Sequence, residues 1–222
     1  MTLSLKLKSW FNFTLDLVYP PKCAGCDKMG DGLWCPQCAQ KVHLLLAPDH
    51  IKLLALTEGL TLPVLSAAEF ASPIREAIHE FKYNGTPALA EPLSKHMVMA
   101  WQWVNWSIDL IIPVPLHGKR RRERGYNQSE FLAAEMARMI KMPMNPSALL
   151  RTRNTEQQAH LGAEARQHNV ADAFAAVEGI VQGKSILLLD DVFTTGATLR
   201  ACALSLLQSK ATNVYAMTLA RA

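Results

Sequence analysis

The sequence predicts an α/β protein, a parallel sheet flanked by helices, with a small cysteine-bearing module at its N-terminal side. Three observations carry that expectation. From residue 108 onward short apolar runs alternate with amphipathic stretches, the rhythm of strands and helices around a parallel sheet. One of those runs, "KSILLLDD", ends in two acids and passes at once into a Thr- and Gly-rich turn. And four of the 5 cysteines fall between residues 23 and 38 as two close pairs.

A chain of 222 residues suits one ordinary α/β domain plus a small module, and the division expected is 1–48 for an N-terminal helix and cysteine module and 49–222 for the main domain. Half of the residues are hydrophobic and 19% are charged, which excludes a disordered chain. The net charge of +4 is local. Lys119, Arg120, Arg121, Arg122 and Arg124, with Glu123 among them, carry it, and outside this hexapeptide basic and acidic residues balance. A single patch suits a phosphate-bearing ligand better than a surface coating nucleic acid, although a solvated helix face is the plain alternative.

At the start, Leu3, Leu7, Trp10, Phe11, Leu15 and Val18 recur at helical spacing, so residues 1–18 read as an amphipathic helix packed on the domain. The stretch "WFNFTLDLV" is too short to span a membrane and is broken by Asn12 and Asp16. It has no small-residue cleavage site either. No membrane insertion is expected, and cytoplasm is the expected compartment.

Cys23, Cys26, Cys35 and Cys38 read C-x2-C-x8-C-x2-C. Two tight knuckles of this kind supply four thiolates to one tetrahedral Zn²⁺, and four protein ligands make the site structural rather than catalytic. Two disulfides or a redox C-x-x-C are the alternatives, disfavoured in a chain without a secretion signal. His43 lies outside the paired pattern. Cys202 shares a helical face with Leu199 and Leu206 and reads as a buried apolar residue.

Residues 43–66, with Pro48 and Pro63, give no clear pattern. "SPIREAIHEFKYNG" reads as a short helix capped by Ser72, with Pro73 first and Gly85 just beyond its end. "TPALAEPLSKHMVMAWQWVNW" reads as a second helix whose start Pro92 limits. Trp101, Trp103 and Trp106 lie at spacing typical of a core, with base stacking as the sharper alternative. "IDLIIPVPL" is a strand; "NQSEFLAAEMARMI" is a helix capped by Asn127 with Glu130 in capping-box position. "SALLR" is a candidate strand, and "KSILLLDD", "GATLRACALSLLQS" and "NVYAMTLAR" complete the chain as strand, helix and strand.

In such sheets ligands bind beyond the carboxyl ends of the strands, where Asp190 and Asp191 fall. A loop entering a helix there offers backbone N–H groups and the positive helix end to an anion. Gly196 permits close approach, and Thr194, Thr195 and Thr198 add hydroxyl donors. Two carboxylates cannot share that anion, but they suit vicinal hydroxyls of an attached sugar. The turn therefore reads as a ribose 5-phosphate cradle. Receiver domains and Walker B strands also end in acids, but no G-x-x-x-x-G-K-[ST] accompanies this one.

The segment from Ile186 to Thr198, four apolar residues, two acids, two apolar residues and T-T-G-A-T, resembles the phosphoribosyl pyrophosphate (PRPP) signature of type I phosphoribosyltransferases. With the four-cysteine module, "IIPVPLHGKRRRERGYNQSEFLA", "LLRTRNTEQQAHLGAEARQHNVADAF" and "FKYNGTPALA", the chain resembles the ComF competence-protein family, which includes GntX-like proteins. The resemblance implies a type I phosphoribosyltransferase fold with a zinc-ribbon-like module. It places Asp190 and Asp191 on the ribose hydroxyls as the catalytic pair, and Thr194, Thr195, Gly196, Ala197 and Thr198 around the 5-phosphate. Val114, Pro115, Leu116, His117 and Gly118 match the pyrophosphate loop. Arg120, Arg124, Tyr126, Asn127, Gln128, Arg151, Arg153, Gln158, Arg166 and Asn169 are implied contacts of that loop and of a mobile lid. Mg²⁺ carried by substrate oxygens is implied as well, with displacement at ribose C1 and catalysis by positioning and charge stabilisation. The family also implies DNA uptake or use of external DNA, with DNA-uptake proteins as partners. The alternative is a single-stranded DNA-binding protein that keeps this fold as a scaffold. A glutaminase domain, which amidophosphoribosyltransferases add, has no counterpart here.

Overall fold

The structure is a computed structural model that describes residues 20–46, 50–152 and 173–222. The helix expected over 1–18 and four of the candidate lid contacts, Arg153, Gln158, Arg166 and Asn169, lie outside the described residues.

The cysteine module contains one short helix, α1 (Pro36–Gln40), capped by Cys35. Its exit joins the main sheet, since Leu45 N–H donates to Ala67 O and Glu69 N–H to His43 O. Next comes a hairpin, β1 (Lys52–Thr57) and β2 (Leu60–Glu69), in the stretch the sequence left unreadable. Glu58 and Gly59 make the connection, with Gly59 at φ +73°. Pro63 hides the strand from sequence reading. The ladder from β2 to its parallel neighbour begins at Val64, one residue beyond that proline.

α2 (Ile74–Tyr83) begins one residue later than expected: Pro73 occupies the cap position and no side chain caps the helix. α3 (Ala90–Trp101) follows a 3₁₀ turn at Pro87–Leu89. Pro92 sits in its first turn, where an N–H has no intrahelical partner to lose. Trp101 and Trp106 pack edge to face at 6.1 Å, and Trp106 stacks on Tyr215 at 4.7 Å, so these two serve the core, whereas Trp103 is exposed.

β3 (Leu110–Pro113), α4 (Gly118–Arg124), α5 (Gln128–Ile140), β4 (Leu149–Arg151), β5 (Phe174–Ala176), α6 (Glu178–Val181), β6 (Ser185–Phe193), α7 (Ala197–Gln208) and β7 (Asn213–Arg221) complete the described elements. The main sheet runs β1–β2–β7–β6–β3. β2, β7, β6 and β3 are mutually parallel, and β1 is an antiparallel edge. β4 and β5 form a separate two-stranded sheet.

Side-chain alternation divides the core between the two faces of the sheet. Ile111, Leu187, Leu189, Met217 and Leu219 pack in one cluster with Phe81 of α2, Leu93 and Met97 of α3, and Leu132 and Met136 of α5. Leu110, Ile112, Ile186, Leu188 and Val214 pack in the other with Leu199, Cys202 and Leu206 of α7. Cys202 is fully buried, as its apolar helix face predicts. Strands covered on both faces read as unbroken apolar runs, which is why β3, β6 and β7 were visible in the sequence.

Candidate functional site

β6 runs four buried apolar residues, Ile186 to Leu189, up to the acid pair. Asp191 continues the parity of Leu187 and Leu189 and so faces the α2, α3 and α5 layer. There Lys82, near the C-terminus of α2, donates to its Oδ1 at 2.9 Å. Both side chains are largely enclosed, 20% exposed for Lys82 and 12% for Asp191. Asp190 accepts from Ser129 Oγ at 2.8 Å and from the Asp191 N–H at 2.9 Å. Burial, and then the adjacent Asp191 charge, push the Asp190 carboxyl up to about 7 against the opposing Ser129 hydroxyl. The neighbouring acids are thus unlike: one is salt-bridged to a lysine, the other is held by a hydroxyl and resists ionisation.

Just beyond, Asp190, Val192, Phe193 and residues 194–199 line a small pocket of about 50 Å³. Gly196 is its hinge, at φ +76°. A Cβ there would lie 2.7 Å from Leu54 Cδ2 and 2.8 Å from Phe193 Cε2, so a side chain would have to displace both as well as adopt a left-handed backbone. Gly196 offers α7 no capping side chain. Among the first-turn N–H groups, Ala197 reaches Thr195 Oγ1 at 3.5 Å.

A second concavity, about 680 Å³, opens between the end of α2 and α4. Lys82, Tyr83, Asn84 and Gly85 form one wall, and Arg120, Glu123 and Arg124 the other. The Arg124 guanidinium lies 5.0 Å from the centre of the exposed Tyr83 ring. The basic hexapeptide is therefore the exposed helix α4, ended by Gly125 in the left-handed region at φ +80°. Arg121 leaves the patch toward Glu130 of α5, at 3.4 Å. That contact engages the Glu130 carboxylate that the capping-box reading assigned to the helix start.

The structure places the other candidates as follows. Val114 is buried and extends the β3–β6 ladder by donating to Leu189 O at 2.8 Å. Pro115 and Leu116 are half-buried, and His117 caps α4 by accepting from the Lys119 N–H at Nδ1. Asn127 caps α5 and donates to Val114 O at 3.0 Å, tying the loop to the helix that carries Ser129. Gln128 is 1% exposed. Tyr126 is buried against Phe81 and Phe131, and its hydroxyl donates to Phe81 O. Tyr126, Asn127 and Gln128 are thus built into the wall of the site rather than exposed in it. Arg151 ends β4 with its guanidinium 5.4 Å from the Phe174 ring centre, and burial and then the Arg120 charge push its pKa down. Lys82 and Tyr83 are the residues that sequence reasoning missed. Their segment, "FKYNG", was singled out, but a lysine in the last turn of a helix is ordinary there.

The four sulfurs of Cys23, Cys26, Cys35 and Cys38 lie within 4.8 Å of one another, a donor set that fits one tetrahedral Zn²⁺. All are free thiols, and the Cys26 and Cys35 sulfurs stand 3.8 Å apart, so the disulfide alternative fails. Burial opposes ionisation of Cys23, but N–H groups of Cys35 and Gly25 point at its sulfur and bring it down to about 7. Burial pushes Cys38 up. The module is packed on the main domain: Trp34 Nε1 donates to His96 Nε2 of α3 at 3.3 Å. A Cβ at Gly25 would fall 2.8 Å from Pro73 Cβ and 2.9 Å from Cys38 Sγ. Among the described residues no helix is long and apolar enough to cross a membrane.

Together these features define the class: an α/β protein of the type I phosphoribosyltransferase fold with a zinc-ribbon module docked on it. A family profile for a double zinc ribbon domain matches residues 14–49. DNA utilization protein YhgH of Shigella flexneri is 33% identical over 163 residues, 71% of each chain. Competence protein ComFC of Bacillus subtilis is 28% identical over 192 residues, covering 84% of this chain and 77% of that one. Among solved structures, the glutamine PRPP amidotransferase from B. subtilis complexed with ADP and GMP overlaps 63% of this chain and 30% of its own, at 21% identity and a TM-score of 0.46. The chain belongs to the ComF family of competence and DNA-utilisation proteins.

Proposed function

We propose that this chain binds PRPP, or another ester of ribose 5-phosphate, at the C-terminal end of β6 and serves the handling or use of incoming DNA. One observation carries the reading. The small Thr- and Gly-lined pocket, the acid pair and the cationic groove follow one another in the order of 5-phosphate, ribose hydroxyls and pyrophosphate. The pocket supplies N–H and hydroxyl donors for a phosphate monoester. Asp190 and Asp191 accept from the ribose 2′ and 3′ hydroxyls, and Lys82, Arg120 and Arg124 neutralise the diphosphate. Mg²⁺ fits only as a companion of the ligand, because both acids already have protein partners and the cysteines form the only metal-ligating cluster among the described residues. It would add positive charge on the leaving group. The DNA-related setting rests on the relatives' names, and the division at residues 48 and 49 into ribbon module and main domain belongs to the same proposal.

Calorimetric titration with PRPP and Mg²⁺ tests this, with Asp190→Asn/Asp191→Asn alongside. Saturable binding that the double variant loses is the expected result; no binding by folded, zinc-loaded protein overturns it. The exposed helix α4 supports a second reading, direct contact with single-stranded DNA. Such binding would weaken steeply with salt, whereas the pocket's affinity for a small ligand would respond less.

A further inference from the structure

Lys82 joins the acid pair to the groove. Its Nζ is bonded to Asp191 at 2.9 Å, and the same side chain lines the groove whose opposite wall carries Arg120 and Arg124. That position answers an electrostatic problem in the proposed site. A ribose held by the acid pair presents its C1 substituent, a polyanion, close to the salt-bridged Asp191 carboxylate, and like charges so placed repel. Arg120 and Arg124 meet the diphosphate from the groove's far wall, where Glu123 offsets part of their charge, but Lys82 is the cation bonded to the acid pair itself.

We infer that Lys82 is a positioning residue that makes the site selective for a diphosphorylated ribose over ribose 5-phosphate, by holding Asp191 on one side and meeting the ligand's diphosphate on the other. The inference rests on the reading under Proposed function. An ammonium with three donors keeps one on Asp191 while turning the others to the groove. Asp190 is held separately, by Ser129 of α5, and feels Lys82 through its charge rather than through a hydrogen bond. α2, which carries Lys82, starts against the ribbon at Pro73 and has Tyr126, just beyond the end of α4, bonded to Phe81 O, next to Lys82 in sequence. The lysine is thus fixed from both ends of its helix, as a selectivity element must be.

The test titrates full-length, zinc-loaded protein with PRPP, ribose 5-phosphate and pyrophosphate at constant Mg²⁺. The proteins compared are wild type, Lys82→Gln and Lys82→Arg. The readout is the ratio of PRPP to ribose 5-phosphate affinity, which a merely loosened fold would not move. The loss of one charge-assisted hydrogen bond predicts a fall of roughly tenfold or more in that ratio for Lys82→Gln, with recovery in Lys82→Arg and weaker pyrophosphate binding in parallel. An unchanged ratio, with both ligands weakened alike, overturns the inference, as does Lys82→Arg behaving like Lys82→Gln. Wild type that binds none of the three ligands overturns the parent reading, a distinct failure. If Lys82→Gln does not fold because Asp191 is left buried without its partner, Lys82→Gln/Asp191→Asn is compared with Asp191→Asn. The double variant must show the lower ratio, and equality overturns the inference.

Discussion

Replacing Gly196 by alanine probes the phosphate pocket without touching a polar group. Two costs follow from the structure. The backbone at φ +76° is one that an L-residue adopts with difficulty, at about 1–3 kcal/mol for a non-glycine residue. The new methyl would also stand 2.7 and 2.9 Å from the two Leu54 methyls and 2.8 Å from Phe193, and overpacking of that kind costs about 1–3 kcal/mol. Together they predict a loss of about 2–6 kcal/mol, measured by denaturant titration with unchanged slope. Leu54→Ala separates the two. It removes the Leu54 part of the clash but neither the Phe193 contact nor the strained φ, so Leu54→Ala/Gly196→Ala should be more stable than the sum of the single losses predicts, by about 1 kcal/mol. Additivity within about 0.5 kcal/mol would refute the claim that Leu54 of β1 crowds a side chain at position 196. So would a Gly196→Ala protein as stable as wild type.

Two further outcomes are expected. Stripping the metal with a chelator, or Cys35→Ser, should abolish stoichiometric zinc by elemental analysis. It should also release Trp34 from His96, seen as a red shift and quenching of tryptophan fluorescence, because the ribbon's own core is little more than its thiols and Trp34. For Asp190 the sign is set by its raised folded-state pKa: the stability this group contributes is fully present below the unfolded carboxyl value, near 4, and is lost as pH rises to about 7. Wild type should therefore lose stability between about pH 4 and 7 relative to Asp190→Asn, whose profile in that window should be flatter.

What could be read in the sequence follows from where the physics is local. β3, β6 and β7 are buried on both faces and so announce themselves as apolar runs, and Asn127 states the start of α5 by its capping chemistry. The thiol spacing fixes the ribbon because four ligands must converge on one point. The pocket of residues 194–199 was legible because a single turn builds it. The β1–β2 hairpin was not, since its pattern is interrupted by Pro63 and its edge strand is exposed at Leu53. Nor was Lys82: its partner is 109 positions away in the chain, and only the docking of α2 over the end of β6 brings the two together. The same distinction explains the wall residues. The family resemblance implies Tyr126, Asn127 and Gln128 as ligand contacts because they follow the pyrophosphate-loop segment, yet each is buried. Tyr126 grips α2 through Phe81, and Asn127 grips the loop through Val114. Tyr126 thereby ties the segment after α4 to α2, and Asn127 ties the loop after β3 to α5. Substitutions there should weaken every ligand together, whereas a change at Lys82 should discriminate among them.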